Sequence, residues 1–320
     1  MLLSLGLIAV GFVLLIFGAN WLVDGASSLA RKYRVSDLVI GLTIVSFGTS
    51  APELVVNLIA SVQGYSDIVY GNVVGSNNFN LFVILGIAGL ILPITVQRST
   101  VWNEIPMSLG VAVLLLLLSN DFYVGSSDLL LSRTDGLLLI ALFLTFLFYI
   151  FRQIQSEPTV ADSPSAAYPS GVKITALIVF GLVGLVLGGK LVVDHAVTIA
   201  TSLGVSEKII GLTIIAAGTS LPELVTSAVA ALKKNSDIAI GNVVGSNIFN
   251  VLLIIAVSAI VQPIGYNASF NREIFLLIGG TLFLFVAMFL GGRRRLDRWE
   301  AALLLLVYLA YTGMQIAAEM

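Results

Sequence analysis

Gly48-Thr49-Ser50-Ala51-Pro52-Glu53, followed by Gly71-Asn72-Val73-Val74-Gly75-Ser76-Asn77-Asn78-Phe79-Asn80, decides the fold, because the chain writes it a second time, 170 residues later. Gly218 to Glu223 and Gly241 to Asn250 repeat it in register. Each copy sets a lone glutamate in an apolar run. At mid-depth in a bilayer an ionisable side chain costs ~2.5 to 3.5 kcal/mol on the mildest scale, so two at matching positions predict an ion or substrate site.

The rest of the chain supports a bilayer setting. Of its 320 residues 58% are hydrophobic and only 11% charged, with a mean hydropathy of +1.03, whereas a soluble domain carries about 25% charged residues. Cysteine is absent, which excludes disulfides, thiolate metal sites and cysteine nucleophiles, and the single histidine, His195, excludes a histidine metal cluster. The run from Leu2 lacks a basic leader and a small-residue cleavage site, so it is read as a mature span.

Ten segments are apolar enough to cross ~30 Å of hydrocarbon: 2–23, 36–62, 67–94, 103–119, 136–152, 172–193, 205–231, 237–262, 273–291 and 298–317. The expected class is an all-α integral membrane protein. One polar connection, 153–171, divides a first five-helix repeat, 1–152, from a second, 172–320. Aligning 11–86 with 181–256 without a gap gives about 36 identities in 76 positions, glycines, prolines and asparagines included. An odd number of spans per half makes the second repeat enter from the opposite face, the inverted topology common in transporters. Twelve Lys and Arg fall in or beside odd-numbered connections and three, Arg133, Lys208 and Arg272, in even ones. The positive-inside rule then places the odd connections, with 153–171, in the cytoplasm and both termini outside, in a plasma membrane. Arg293 to Arg298 also read as a patch for anionic lipid or regulation.

Pro52 and Pro222 lack an amide donor and clash one turn back, so they are expected to break spans two and seven. Carbonyls freed there must be buried in protein or face a polar cavity, where they become cation ligands. Thr49, Ser50, Thr219 and Ser220 add hydroxyls at the break; Glu53 and Glu223 add the formal charge. Ser76 and Asn80, and again Ser246 and Asn250, are spaced i, i+4 and share a helix face; these four are expected ligands. Asn72, Asn77, Asn242 and Asn247 fit interhelical clasps as well as ligands, and the repeated glycines fit close packing. Oxygen ligands with two carboxylates suit a hard cation, Ca²⁺ best, with Na⁺ able to use the same oxygens.

The doubled Gly-Thr-Ser-x-Pro-Glu and Gly-Asn-x-x-Gly-Ser-Asn-x-Phe-Asn motifs resemble the cation/Ca²⁺ exchanger superfamily, specifically its prokaryotic Na⁺/Ca²⁺ exchangers, over the whole chain. The resemblance implies a central diamond of spans two, three, seven and eight, with long spans one and six sliding across it. It implies a Ca²⁺ site of Glu53 and Glu223 with the Thr49 and Thr219 carbonyls. Flanking Na⁺ sites would use Ser50, Ser76, Ser220 and Ser246, the carbonyls near Ser46 and Ala216, and Asn80 and Asn250 in the middle. Asparagine at 250, where one branch has an acid, argues against K⁺ cotransport. The expected function is antiport of Na⁺ against Ca²⁺ by alternating access, with H⁺/Ca²⁺ or other cation exchange as the alternative. Ca²⁺ and Na⁺ are substrates; no cofactor, nucleic acid or obligatory protein partner is expected. A channel has little use for two inverted half-sites, and an intramembrane protease needs paired aspartates or a histidine-rich metal site, so enzyme activity is not expected.

Outside the motifs, Asp24 and Asp194 match between the halves and read as solvated helix ends. Lys190 is expected to snorkel or pair with Asp194. His195 reads as a surface residue, and Trp21, Trp102, Tyr123 and Trp299 as interfacial anchors.

Overall fold

The protein is described from a computed structural model covering residues 2–120, 129–156, 169–203, 216–290 and 294–319. Its helices are α1 (Leu2–Tyr33), α2 (Asp37–Thr49), α3 (Ala51–Val62), α4 (Ser66–Ile91), α5 (Thr100–Ser119), α6 (Arg133–Ser156), α7 (Gly171–Ser202), the turn α8 (Ala216–Gly218), α9 (Leu221–Leu232), α10 (Ser236–Val261), α11 (Ala268–Leu290) and α12 (Arg298–Glu319). Among the described residues eight helices are long and apolar enough to cross a bilayer, and α2 with α3, bent by 47°, makes a ninth span. The seventh expected span begins at 205, and its stretch 205–215, with Val205, Ser206, Lys208 and Gly211, lies outside the described residues. So does Tyr123.

Three of the expected boundaries need correction. The linker placed at 153–171 gives up 153–156 to α6, which runs to Ser156, and 157–168 lie outside the described residues. Spans one and six, placed at 2–23 and 172–193, continue as helix to Tyr33 and Ser202. The expected apolar runs end at Asp24 and Asp194, but nothing there breaks a helix. At 1.5 Å per residue each 32-residue helix is about 48 Å long, more than the hydrocarbon thickness, so both tilt or project.

The orientation of the halves follows from how their first helices meet. Gly11 of α1 packs at Gly188 and Val192 of α7, Gly18 at Gly181 and Leu185, and Gly25 at Leu177 and Ile178. One helix therefore runs down as the other runs up. A Cβ on Gly18 would lie 2.8 Å from the Gly181 carbonyl oxygen and from the Leu185 nitrogen, so glycine alone permits this approach. Because α1 and α7 open the two repeats, their antiparallel pairing makes the repeats inverted. The connections agree: β1 (Ile94–Thr95) pairs with β4 (Arg295–Leu296), and β2 (Leu130–Leu131) with β3 (Ile264–Gly265), each ladder joining a connection of one half to one of the other.

Burial places α4 and α10 at the centre. The shares of their spanning windows that are buried are 72% and 83%, against 17–39% for the other long helices. Trp21, Trp102 and Trp299 stand exposed on the outer surface, as interfacial anchors do.

Candidate ion site

Each glutamate is set by a break whose chemistry is local. Ser50 leaves helical geometry (φ −83°, ψ 6°) and Ser220 does the same (φ −88°, ψ 7°), ending one helix and opening the next. Pro52 and Pro222 fall in the first turn of α3 and α9, where a missing N–H goes unmissed. The break is thus a new start held by proline, and it brings Glu53 and Glu223 into the first turn of those helices, where the dipole favours negative charge. Both are 1% exposed.

The two breaks bond crosswise. The Ser50 hydroxyl donates to Glu223 Oε1 at 2.8 Å and lies 3.0 Å from Ser246 Oγ. The Ser220 hydroxyl donates to Glu53 Oε1 at 3.2 Å and lies 3.1 Å from Ser76 Oγ. Each half thus completes the other's carboxylate.

Asparagines form a second crosswise set. Asn77 and Asn247 exchange bonds, each Nδ2 donating to the other's carbonyl at 3.3 Å. Asn80 Nδ2 donates to Asn247 Oδ1 at 3.1 Å and Asn250 Nδ2 to Asn77 Oδ1 at 2.8 Å. With their amide nitrogens committed, Asn80 and Asn250 keep buried Oδ1 atoms that accept no hydrogen bond, as do Glu53 Oε2 and Glu223 Oε2. These are four buried oxygens at two-fold related positions. In a low-dielectric interior such oxygens are expensive unless a cation or a proton meets them.

π-helical turns help aim them. The widened turns Phe79–Ile84 and Asn250–Ile255 occupy matching places in α4 and α10, and Asn80 and Asn250 lie in them. Such turns recur at functional sites.

The remaining expected ligands are placed as follows. The Thr49 hydroxyl lies 3.1 Å from both the Val45 carbonyl and Asn242 Oδ1, and Thr219 Oγ1 accepts from Asn72 Nδ2 at 3.3 Å. Asn242 Nδ2 also donates to the Glu223 carbonyl and to Ser227 Oγ. Asn72 and Asn242 are therefore clasps between α4 or α10 and the broken spans. The Ser46 hydroxyl donates to the Gly41 carbonyl at 2.7 Å and lies within 3.2 Å of the Gly241 and Asn242 carbonyls, while its own carbonyl accepts the Ser50 amide at 3.0 Å. Ala216 begins the turn before the second break.

Sequence reasoning missed Asn57, whose Nδ2 donates to the Glu53 carbonyl at 2.7 Å and to Asn72 Oδ1 at 2.6 Å. Its i+4 spacing from Glu53 was the available signal. Asp24 is solvated, but it does not end its helix: α1 runs nine residues further and Asp24 pairs with Lys233 at 2.7 Å. Lys190 pairs with Asp194 at 3.6 Å. His195 is half-buried. Among the described residues no group of three or more His, Cys, Asp or Glu is placed to hold a metal; the charge at this site comes from two carboxylates and the rest from neutral oxygens.

An inverted repeat whose broken helices converge on a paired, oxygen-lined carboxylate site is the architecture of a secondary transporter. A sequence profile described as sodium/calcium exchanger protein matches residues 3–152 and 173–317, and the chain belongs to that family. It is similar over nearly its whole length to CaxA of Alkalimonas amylolytica, 38% identical over 319 residues that cover 97% of this chain and 98% of that one. The sodium/calcium exchanger MaX1 of Methanosarcina acetivorans is 30% identical over 341 residues, 95% of this chain and 96% of that one. Among solved structures, the sodium-calcium exchanger NCX_Mj soaked with Na⁺ and Ca²⁺ superposes with a TM-score of 0.82 at 30% identity, covering 98% of both chains. The protein is a multi-pass protein of the plasma membrane, all-α, with two inverted five-helix repeats and broken helices at the ion site.

Proposed function

We infer that the protein is a secondary active antiporter that exchanges Na⁺ for Ca²⁺ by alternating access. The observation that carries the reading is the set of four buried oxygens, Glu53 Oε2, Glu223 Oε2, Asn80 Oδ1 and Asn250 Oδ1, that accept no hydrogen bond. Two carboxylates balance one divalent cation, and neutral oxygens complete its shell.

Glu53 and Glu223, with the Thr49 and Thr219 carbonyls, hold Ca²⁺. Ser50, Ser76, Ser220 and Ser246, the carbonyls of Ser46 and Ala216, and Asn80 and Asn250 serve Na⁺ ions that share the same carboxylates. Ions of either kind thereby compete for one charge pair, and exchange follows without a separate coupling device. The first repeat ends with α6 and the second begins with α7, the connection between those helices is cytoplasmic, and both termini are extracytoplasmic, a sidedness supported by the twelve-to-three distribution of basic residues.

The test is radioactive Ca²⁺ uptake into Na⁺-loaded proteoliposomes diluted into Na⁺-free medium. Uptake that requires internal Na⁺ and is lost in Glu53→Gln and in Glu223→Gln is the expected result. Uptake driven by a pH gradient alone would move the protein to H⁺/Ca²⁺ exchange, and uptake indifferent to either glutamate would remove the site from the pathway.

A further inference from the structure

The chain buries a second repeated glutamate. Glu104 on α5 accepts at Oε1 from the Tyr149 hydroxyl and from Gln153 Nε2 at 3.2 Å, both on α6. Glu273 on α11 accepts at Oε1 from the Tyr311 hydroxyl and from Gln315 Nε2, each at 2.9 Å, both on α12. In each triad the glutamine also donates to the tyrosine hydroxyl one helical turn away. One arrangement built twice, on the equivalent pair of spans, is inherited from the duplicated unit. By the inverted topology, the first lies toward the cytoplasmic face and the second toward the outer face.

The two copies differ in what surrounds the second carboxylate oxygen. Glu104 is 0% exposed, and its Oε2 accepts no hydrogen bond. Thr100, at the other end of the π-helical turn Thr100–Glu104 and also 0% exposed, has an Oγ1 without a hydrogen-bond partner. Gln153 Oε1 is likewise buried and accepts nothing, its amide nitrogen being spent on Glu104 Oε1 and Tyr149. Glu273 Oε2 is also buried and accepts no hydrogen bond, but the residue as a whole is only half-buried and Ser269, four residues earlier, is exposed. The first copy therefore keeps three buried oxygens without a hydrogen-bond partner, Glu104 Oε2, Thr100 Oγ1 and Gln153 Oε1, where the second keeps one, Glu273 Oε2.

We propose that Glu104 Oε2, Thr100 Oγ1 and Gln153 Oε1 form a peripheral site for one hard monovalent cation, Na⁺, at the cytoplasmic end of the α5–α6 pair. Charge selects the valence: one carboxylate neutralises one positive charge, and a divalent ion would leave an unpaired charge in a buried place. Donor type selects the element, since all three atoms are hard oxygens and no nitrogen or sulfur ligand is offered. Tyr149 and the Gln153 amide hold the carboxylate in place through its other oxygen. The site stands apart from Glu53 and Glu223 and binds whether or not those residues do.

The experiment removes the central site first. Binding of radioactive Na⁺ to the purified full chain is measured in the Glu53→Gln/Glu223→Gln variant by scintillation proximity. One Na⁺ per chain is expected to remain, to be lost when Glu104→Gln is added, and to weaken about fivefold with Thr100→Val, the effect of losing one neutral ligand. Glu273→Gln is expected to leave this binding unchanged. Absence of Na⁺ binding in the Glu53→Gln/Glu223→Gln variant, or binding untouched by both Glu104→Gln and Thr100→Val, would overturn the proposal and leave Glu104 as a helix clamp. Thr100→Val guards against a Glu104 variant that fails to fold. Na⁺ decides this site and Ca²⁺ binding decides the central one, so the two readings fail separately.

Discussion

Gly245→Ala places one methyl group where the ion site's supports meet. An ideal Cβ there would lie 2.3 Å from Ser46 Oγ and 2.9 Å from both the Cα and the carbonyl oxygen of Leu42. The Ser46 side chain can rotate away, but it then gives up its bond to the Gly41 carbonyl at 2.7 Å in a fully buried place. Leu42 is backbone, so the remaining contact is relieved only by moving α2 off α10. Overpacking contributes about 1 to 3 kcal/mol and the displaced buried hydroxyl about 1 to 3 more. Thermal unfolding in detergent reads the loss of stability. Ca²⁺ uptake reads its consequence, because α2 carries Thr49 and leads into Ser50; a fall of about tenfold corresponds to only 1.4 kcal/mol of that strain reaching the site. Ser46→Ala/Gly245→Ala removes the hydroxyl and the shortest contact, so it should recover part of the stability but not all. Gly110→Ala, on an exposed face with no atom near its Cβ, is the control and should stay within about 0.5 kcal/mol of the parent. The reasoning is refuted if Gly245→Ala matches the parent in both assays, or if the double variant is no more stable than the single one.

Other outcomes follow from the same contacts. Ser50→Ala and Ser220→Ala each remove the hydroxyl donor of the opposite glutamate, a charge-assisted bond of about 1.5 to 3 kcal/mol, so each should weaken Ca²⁺ binding about tenfold or more. Because the halves are two-fold related the two effects should be similar, and isothermal titration would expose a one-sided site. Gly18→Val drives a side chain into the backbone of α7 at Gly181 and Leu185, and should lower the unfolding temperature and slow uptake together. Asp24→Asn breaks the pair with Lys233, but that carboxylate is 59% exposed, so the loss should be under about 1 kcal/mol and uptake rates should match the parent.

The spans, the repeat and the glutamates were legible because each is a local signal: a long apolar run, a run of identities, a charge where charge is expensive. Inversion was legible from arithmetic, since five spans per half leave no other option. Four features were not. The true lengths of α1 and α7 were hidden because hydropathy reports the bilayer and not the helix, and Asp24 and Asp194 ended the first without ending the second. The π-helical turns at Asn80 and Asn250 are set by tertiary packing, and no residue type announces them. The partnerships of the site, Ser50 with Glu223 and Asn77 with Asn250, join residues about 170 positions apart, which a single sequence does not connect. The Glu104 and Glu273 triads lay beyond the gapless alignment, which ends at residue 86, because the glutamates are offset by 169 residues and their tyrosine and glutamine partners by 162 instead of 170, although the residues were in view.

The central claim is that the four unpartnered oxygens meet the transported cations, those of Glu53 and Glu223 holding Ca²⁺ and those of Asn80 and Asn250 serving the Na⁺ ions that share the carboxylates. Anomalous diffraction from crystals grown in Ca²⁺ without Na⁺ tests it most directly. The account predicts one dominant peak at Ca²⁺–oxygen distances of about 2.3 to 2.6 Å from carboxylate oxygens of both Glu53 and Glu223, displaced when Na⁺ is soaked in. A Ca²⁺ peak ligated by neither glutamate, or one that high Na⁺ leaves in place, would contradict it.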